Sequence, residues 1–403
     1  MIAPPRLKRE RRLEWPMLLA VVGLMGIGGL FVASATLGGE GGGQTPWLRR
    51  GYVRQIIWYG LGSGLGVLVC LRSYRGLSRW AMVGYWAAIL LLVAVLIPGI
   101  GSTQGWGARR WILLGPFQFQ PSEFAKIATI FALASYLSRP APEVATPGLF
   151  FKSLGLCLLP FVLILREPDL GSALVFLPVG LVMMFVAGVP TRFLWRLIGG
   201  GAVAVGLLLA DILWAPTDWQ VVQLEPYQKR RLMVYFGQSF APANATEAER
   251  ARAWREYRDA SHNVEQALIS VGSGGLTGKG WRQGTQNALG YLPRAVAHND
   301  FIFSVIAEES GFVGSATVLA LYAVILLTGL KIASQARDRL GLLLAVGIVS
   351  LFFCQVFINI GMNIRLMPVT GIPLPLLSYG GTSVVCALLA IGLLQNVQLH
   401  RQT

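Results

Sequence analysis

Ten stretches of the chain are almost uninterrupted apolar runs, at about 15–36, 54–71, 78–97, 121–138, 149–165, 170–189, 193–214, 311–330, 340–360 and 379–398. Each is close to the roughly 20 residues that carry a helix across about 30 Å of hydrocarbon. Soluble core helices seldom show apolar blocks of this length. The pattern predicts an all-α integral membrane protein with about ten transmembrane helices, one polytopic domain over residues 1–403. One long break, residues 215–300, is rich in charge and aromatics and forms a large extracytoplasmic loop between spans seven and eight. Within it, residues 245–258 read equally well as a charged amphipathic helix on the membrane surface or as a merely solvated one.

Composition agrees with the pattern. Of 403 residues, 54% are hydrophobic and 13% charged, and mean hydropathy is +0.58, too little polar surface for a soluble globule. The net charge of +15 would suggest nucleic acid in a soluble protein. Here the basic residues gather at span ends, which removes nucleic acid as a partner. Arg6, Lys8, Arg9, Arg11 and Arg12 precede the first run and place the N-terminus in the cytoplasm by the positive-inside rule. An even number of spans returns the C-terminus there, with Arg72, Arg75, Arg139, Arg192, Lys331 and Arg401 on the same side. The first run is longer than the apolar core of a signal peptide and lacks a small-x-small cleavage site, so it reads as a retained span.

Cys70, Cys157, Cys354 and Cys386 fall inside apolar spans without metal-ligand spacing, and the chain has only His262, His298 and His400 besides. A structural zinc site is not expected, and no metal ligands are assigned. Residues 272 to 280, Gly-Ser-Gly-Gly-Leu-Thr-Gly-Lys-Gly, look like a phosphate loop but do not end in Gly-Lys-Ser/Thr, and no strand precedes them. Nucleotide binding is therefore rejected.

Ionisable groups at membrane depth mark functional sites or buried pairs. Four polar interruptions fall at the same, outer, ends of the spans. Arg109, Arg110 and Trp111 lead into Gln120, Pro121, Ser122 and Glu123, a sound helix start, with Lys126 one turn below and facing the membrane. The plain alternative for Glu123 and Lys126 is a helix ion pair. Residues 166 to 171, Arg-Glu-Pro-Asp-Leu-Gly, break two spans, and Asp169 there suits helix capping better than catalysis. In the segment from His298 to Glu309, Asp300, Ser304 and Glu308 are spaced by four and share a face if the segment is helical. Residues 368 to 383, rich in proline and glycine and containing Ser378, break the chain before the last span, as irregular backbone does where it lines a cavity. Together these suggest one outward-opening cavity. With Arg109, Arg110, Lys126, Arg230 and Lys279 available, it suits a polyanionic lipid. A transporter can use the same parts, although no symmetry between the halves is visible.

At these residues the chain resembles the SEDS family of bacterial cell-shape and division proteins, the RodA and FtsW peptidoglycan polymerases. The matching segments run in order along nearly the whole chain: Arg110 to Ile112, Gln120 to Glu123 with Lys126, Pro168 to Gly171, Pro226 to Gln228 with Arg230, Gly272 to Gly280, Asp300 to Phe303 with Glu308 and Glu309, and Pro373 to Gly381. The resemblance implies ten spans in the bacterial plasma (inner) membrane and a glycosyltransferase that polymerises lipid II into glycan strands, releasing undecaprenyl pyrophosphate. It implies Asp300 as general base, with Arg110 and Lys126 stabilising the leaving pyrophosphate. Trp111, Ser122, Glu123, Asp169, Arg230, Lys279, Gln286, His298, Glu308 and Ser378 complete the expected substrate-binding set. A divalent cation, Mg or Mn, at the pyrophosphate is compatible with this chemistry, though the sequence offers no dedicated cage.

Gly280 to Ala288 and Pro368 to Pro373 are more similar to RodA members than to FtsW. That implies cell-wall elongation and a class B penicillin-binding protein, a transpeptidase, as partner. The alternatives are a septal FtsW-like polymerase, a lipid II flippase and a scaffold that only recruits the transpeptidase. The chain departs from the family before Asp300: Leu292 to Asn299 is about two residues longer, lacks a glutamate and has Asn299 in place of threonine. A changed substrate or partner contact is the expected consequence.

Overall fold

The computed structural model describes residues 13–37, 50–102, 109–115, 117–214, 226–241, 246–292 and 297–401. The N-terminal basic residues, and residues 293–296 of the altered segment before Asp300, lie outside the described residues. The long helices are α1 (Trp15–Leu37), α2 (Gly51–Cys70), α4 (Ala81–Leu96), α5 (Pro121–Leu137), α7 (Pro147–Arg166), α8 (Leu170–Ala187), α9 (Thr191–Trp214), α13 (Ile302–Gln335), α14 (Arg339–Asn363) and α15 (Gly381–His400). Eight are long and apolar enough to cross a bilayer; α4, with 16 residues, and α5, with 17, are shorter and occupy the third and fourth predicted spans. Short helices α3 (Tyr74–Ser78), α6 (Ala141–Val144), α10 (Pro226–Phe236) and α12 (Thr285–Ala288) lie between them, as does α11 (Glu247–Ser273), a charged helix of 27 residues. A three-stranded antiparallel ribbon, β1 (Gly101–Ser102), β2 (Trp111–Leu114) and β3 (Phe117–Phe119), fills the gap before α5.

The helix starts follow their sequence signals. Pro121 and Pro147 open α5 and α7, where a missing N–H costs nothing. Asp169 caps α8, its Oδ1 accepting from Ser172 N at 3.1 Å, as its position before an apolar run suggested. Thr246 and Glu249 form a capping box at the start of α11. The charged stretch predicted over 245–258 is thus helical, and its helix runs on to Ser273.

Without a hydrophobic force between helices in lipid, close packing and internal hydrogen bonds hold the bundle. α15 is its centre, with 83% of its span buried, whereas only 6% of α9 is buried and that helix stands at the margin. α2 lies against α15 through Gly66 and Gly392; a Cβ on Gly392 would stand 2.6 Å from the Gly66 backbone. At the end of the bundle away from the long loop, buried and half-buried polar groups are paired. Asp338 accepts from Tyr74 at 2.6 Å and Arg75 at 2.8 Å, and Glu14 accepts from Lys331 at 3.0 Å and Gln398 at 2.9 Å.

Span eight departs from expectation. The apolar run begins at 311, but α13 starts at Ile302, nine residues earlier, and Gly311 inside it has φ 64° and ψ −158°. Glu308 and Glu309 look like a membrane edge in sequence. In the structure both are buried in protein, so the helix can include them.

Candidate active site

Asp300 lies in the turn immediately before α13, not in the helix, so it does not continue the face of Ser304 and Glu308. Its backbone is fixed by two asparagines one turn apart on α14: Asn359 and Asn363 donate their side-chain amides to the Asp300 carbonyl at 3.0 and 3.1 Å. Asn363 Oδ1 in turn accepts from the Ser304 hydroxyl at 2.6 Å. The proline-rich break before α15 holds the other side. Ser378 donates to Asn299 O at 2.6 Å and accepts from Leu374 N at 2.7 Å, and Tyr379 N donates to His298 O at 2.9 Å. The His298 and Tyr379 rings meet edge to face with centroids 5.2 Å apart. Asp300 Oδ2 is 3.5 Å from the place a Cβ on Gly371 would take.

Asp300 lines a cavity of about 110 Å³ together with Arg231 and Tyr235 of α10, Asn263 of α11, and Arg365, Met367, Pro368 and Val369 after α14. The segment carrying Arg365 is tied to α10 by Tyr235, whose hydroxyl donates to Leu366 O at 2.9 Å, and by Arg231, which donates to Val369 O at 3.3 Å. Burial pushes the Asp300 carboxyl up to about 6; nearby Arg231 opposes the shift, Asp169 adds to it and Arg110 opposes it.

Arg110, Asp169 and Asp300 therefore share one electrostatic field, as the sequence suggested. Arg110 donates to the carbonyl of Glu167 at 3.3 Å and to that of Pro168, so its guanidinium brackets the break between α7 and α8. Gln120 donates to Asp169 Oδ2 at 3.4 Å, joining the start of α5 to the same break. Glu167 is 1% exposed, and among the described residues neither carboxylate oxygen has a hydrogen-bond partner. Burial raises its pKa to about 9, with Asp169 adding and Arg110 opposing, so it is neutral at pH 7.

Lys279, Gln286 and Glu308 form a separate knot. Glu308 Oε1 accepts from Lys279 Nζ at 2.6 Å, Thr285 Oγ1 at 3.0 Å and Gln286 N at 3.0 Å. Glu309 accepts from Ser34 at 2.6 Å and Arg282 N at 2.9 Å. The glycine-rich segment 272–280 lies against the kink of α13: Phe312 N and Val313 N donate to Gly275 O and Leu276 O at 2.8 and 3.0 Å. A Cβ on Gly278 would stand 2.2 Å from Glu309 O. The resemblance to a phosphate loop has this packing cause.

Other predicted residues lie elsewhere. Lys126 does not face lipid: it is 3% exposed and pairs with Glu123 at 2.7 Å, the helix ion pair of the plain alternative. A lone ammonium in hydrocarbon is too costly, so the side chain turns inward to its carboxylate. Ser122 beside it is buried, and its hydroxyl has no hydrogen-bond partner among the described residues. Trp111 sits in β2 opposite Ser102. Arg230 points away from the cavity to Glu256 of α11, 3.1 Å distant, and its neighbour Arg231 lines the cavity instead. Sequence reasoning missed Arg231, Arg365, Glu167, Asn359 and Asn363. The asparagine pair had a signal, two amides four residues apart inside an apolar span.

Residues 15–403 match the FtsW, RodA and SpoVE family, described as a cell cycle protein. The chain is 35% identical over 397 residues to the peptidoglycan glycosyltransferase MrdB of Escherichia coli K12, covering 97% of this chain and 94% of MrdB. It is 32% identical over 456 residues to the peptidoglycan glycosyltransferase RodA of Treponema pallidum, covering 98% and 100% of the two chains. Among solved structures, a chain of a peptidoglycan synthase complex that coordinates polymerisation and crosslinking superposes with a TM-score of 0.73 at 30% identity, over 97% and 99% of the two chains. Rod shape determining protein RodA of Thermus thermophilus superposes at 0.66 and 30% identity, over 99% and 100%. With its ordered motifs and its bundle of membrane helices, the chain belongs to the SEDS family of FtsW, RodA and SpoVE proteins.

Proposed function

We propose that this protein is a peptidoglycan glycosyltransferase that polymerises lipid II into glycan strands for cell-wall elongation, with Asp300 as its general base. The 4-hydroxyl oxygen of the acceptor sugar attacks the anomeric carbon of the donor. The bond from that carbon to the diphosphate breaks, its electron pair leaves on the diphosphate oxygen, and the hydroxyl proton passes to the Asp300 carboxylate. The observation that carries this reading is the state of Asp300. Its backbone is held by Asn359 and Asn363, while the residue lines the cavity and its carboxylate accepts no hydrogen bond from the described residues. A pKa of about 6 leaves it ionised yet basic enough to accept a proton near neutral pH.

Arg110 supplies positive charge beside the carboxylates of Asp169 and Asp300. Lys126 commits its charge to Glu123, so its contribution is to hold the start of α5. Among the described residues no group of three or more His, Cys, Asp or Glu is placed to hold a metal ion, so a divalent cation would draw most of its ligands from the substrate oxygens. The reading places the protein in the bacterial plasma membrane with both termini in the cytoplasm and the cavity outside. Its partner is a class B penicillin-binding protein, in keeping with the similarity to a synthase complex that couples polymerisation to crosslinking.

The test is reconstitution of the full chain with a transpeptidase partner inactive in polymerisation, supplied with lipid II. Glycan polymer should form, and Asp300→Asn should abolish it while melting like the wild type. Polymer from that variant at the normal rate would falsify the assignment. Transbilayer movement of lipid II without polymer would favour a flippase.

A further inference from the structure

Two guanidinium groups at the mouth of the Asp300 cavity are used by nothing in the reaction described so far. Arg231 and Arg365 come from α10 and from the segment after α14, elements distant in sequence, and are brought together by Tyr235 and by Arg231 itself. Both are exposed. The Arg365 guanidinium makes no hydrogen bond or ion pair among the described residues, while its backbone N–H donates to Met362 O at 3.3 Å. Its backbone is left-handed, φ 60°, a conformation that costs a non-glycine residue energy and that glycine would adopt freely. An arginine in such a place points to work for its side chain.

We propose that Arg231 and Arg365 form the diphosphate subsite of the polymerase, clamping the lipid-linked donor from the side of the cavity opposite its sugar. The proposal rests on the polymerase reading of the Asp300 cavity. Two guanidinium forks match the oxygens of a diphosphate bidentately, and together they balance the negative charge that grows on it as the anomeric bond breaks. Position selects this group over the peptide carboxylates of the same substrate. The diphosphate is bonded to the anomeric carbon, so it must lie within a few bonds of the base, and Arg231 is close enough to Asp300 to oppose the shift of its titration. Arg365 follows the last residue of the apolar helix α14 by two positions, so it stands at the end of a candidate span. Lys126, the other cation expected in this role, is buried against Glu123.

The test measures binding without turnover, using the full-length protein in detergent and, as probes, undecaprenyl diphosphate, inorganic pyrophosphate and phosphatidylglycerol. Arg231→Gln and Arg365→Gln should each weaken undecaprenyl diphosphate binding about tenfold or more, the scale of losing a charge-assisted pair. Arg365→Lys should recover part of that loss, because the charge remains and the fork does not. Inorganic pyrophosphate should displace the lipid from the wild type and fail to do so from Arg365→Gln, whereas phosphatidylglycerol should not compete. Wild-type affinity in both glutamine variants overturns the proposal, and so does equal competition by phosphatidylglycerol, which would make this a general headgroup site. Thermal melting of each variant checks folding. Intact, arginine-dependent diphosphate binding in a protein that makes no polymer would count against the polymerase reading and leave the subsite standing.

Discussion

Asn363→Leu probes how firmly the turn carrying Asp300 is held. Asn363 is fully buried and makes four side-chain hydrogen bonds of 3.3 Å or less: its amide donates to Asp300 O (3.1 Å) and Asn359 O (2.8 Å), and Oδ1 accepts from Ser304 Oγ (2.6 Å) and Ser304 N (3.3 Å). Leucine fills a similar volume but leaves these groups with what remains. Asp300 O keeps Asn359, and Ser304 N keeps Phe301 O at 3.0 Å. The Ser304 hydroxyl is the group left orphaned. An orphaned buried hydroxyl costs about 1–3 kcal/mol and a lost amide–carbonyl bond about 1 kcal/mol, for a total of about 2–4 kcal/mol. Adding Ser304→Ala removes the orphan, so the double variant should be more stable than Asn363→Leu alone by about 1–3 kcal/mol, a coupling that a thermal-shift cycle in detergent resolves. Polymerisation by Asn363→Leu should fall in kcat more than in KM, since the displaced group is the base. Equal melting of the single variant and the wild type, or strict additivity in the cycle, would refute the reasoning.

Three further outcomes follow from the geometry. The acid limb of kcat against pH should lie near 6, not near the usual carboxylate value of about 4, and Arg231→Gln should move it upward because that cation favours the ionised form of Asp300; a limb unmoved by the change counts against the arrangement. Glu167 is neutral in the fold up to about pH 9 but ionises near 4.5 when unfolded, so it lowers stability as pH rises between those values; Glu167→Gln should be the more stable protein at pH 7, by on the order of 3 kcal/mol, and the gap in melting temperature should close at pH 4. Gly311→Ala should prevent folding, since φ 64° with ψ −158° is open only to glycine and the new Cβ would stand 2.3 Å from Gly278 N; monodisperse protein at wild-type yield on size exclusion would show the kink to be dispensable.

The spans were legible because lipid imposes one rule on all of them, an apolar run of sufficient length, and the structure moves most ends by only a few residues. The start of α13 was not, because Glu308 and Glu309 look like the water boundary until the segment that buries them is known. Asp169 announced its capping role through its place before an apolar run. Asp300 came from family resemblance, and spacing alone would have put it on a helix face. Arg230 was chosen where Arg231 lines the cavity, since adjacent residues on α10 point about 100° apart and nothing in the local pattern says which side meets α14. Arg365 carries its meaning in a backbone angle and a partner helix, neither of which is written locally.

The splice between the glycine-rich segment and α13 bears on how this protein enters the membrane. Amide groups of Phe312 and Val313 bond to Gly275 and Leu276, and both glutamates before the kink accept from residues 279 to 286 or from Ser34. All of these partners precede the helix in the chain, so a ribosome delivers them before the segment that needs them. The apolar run proper begins only at about residue 311, after both glutamates. Burial of Glu308 and Glu309 therefore depends on the glycine-rich segment packing against the start of α13, so the eighth span is completed by a partner from the loop and not by its own apolar run.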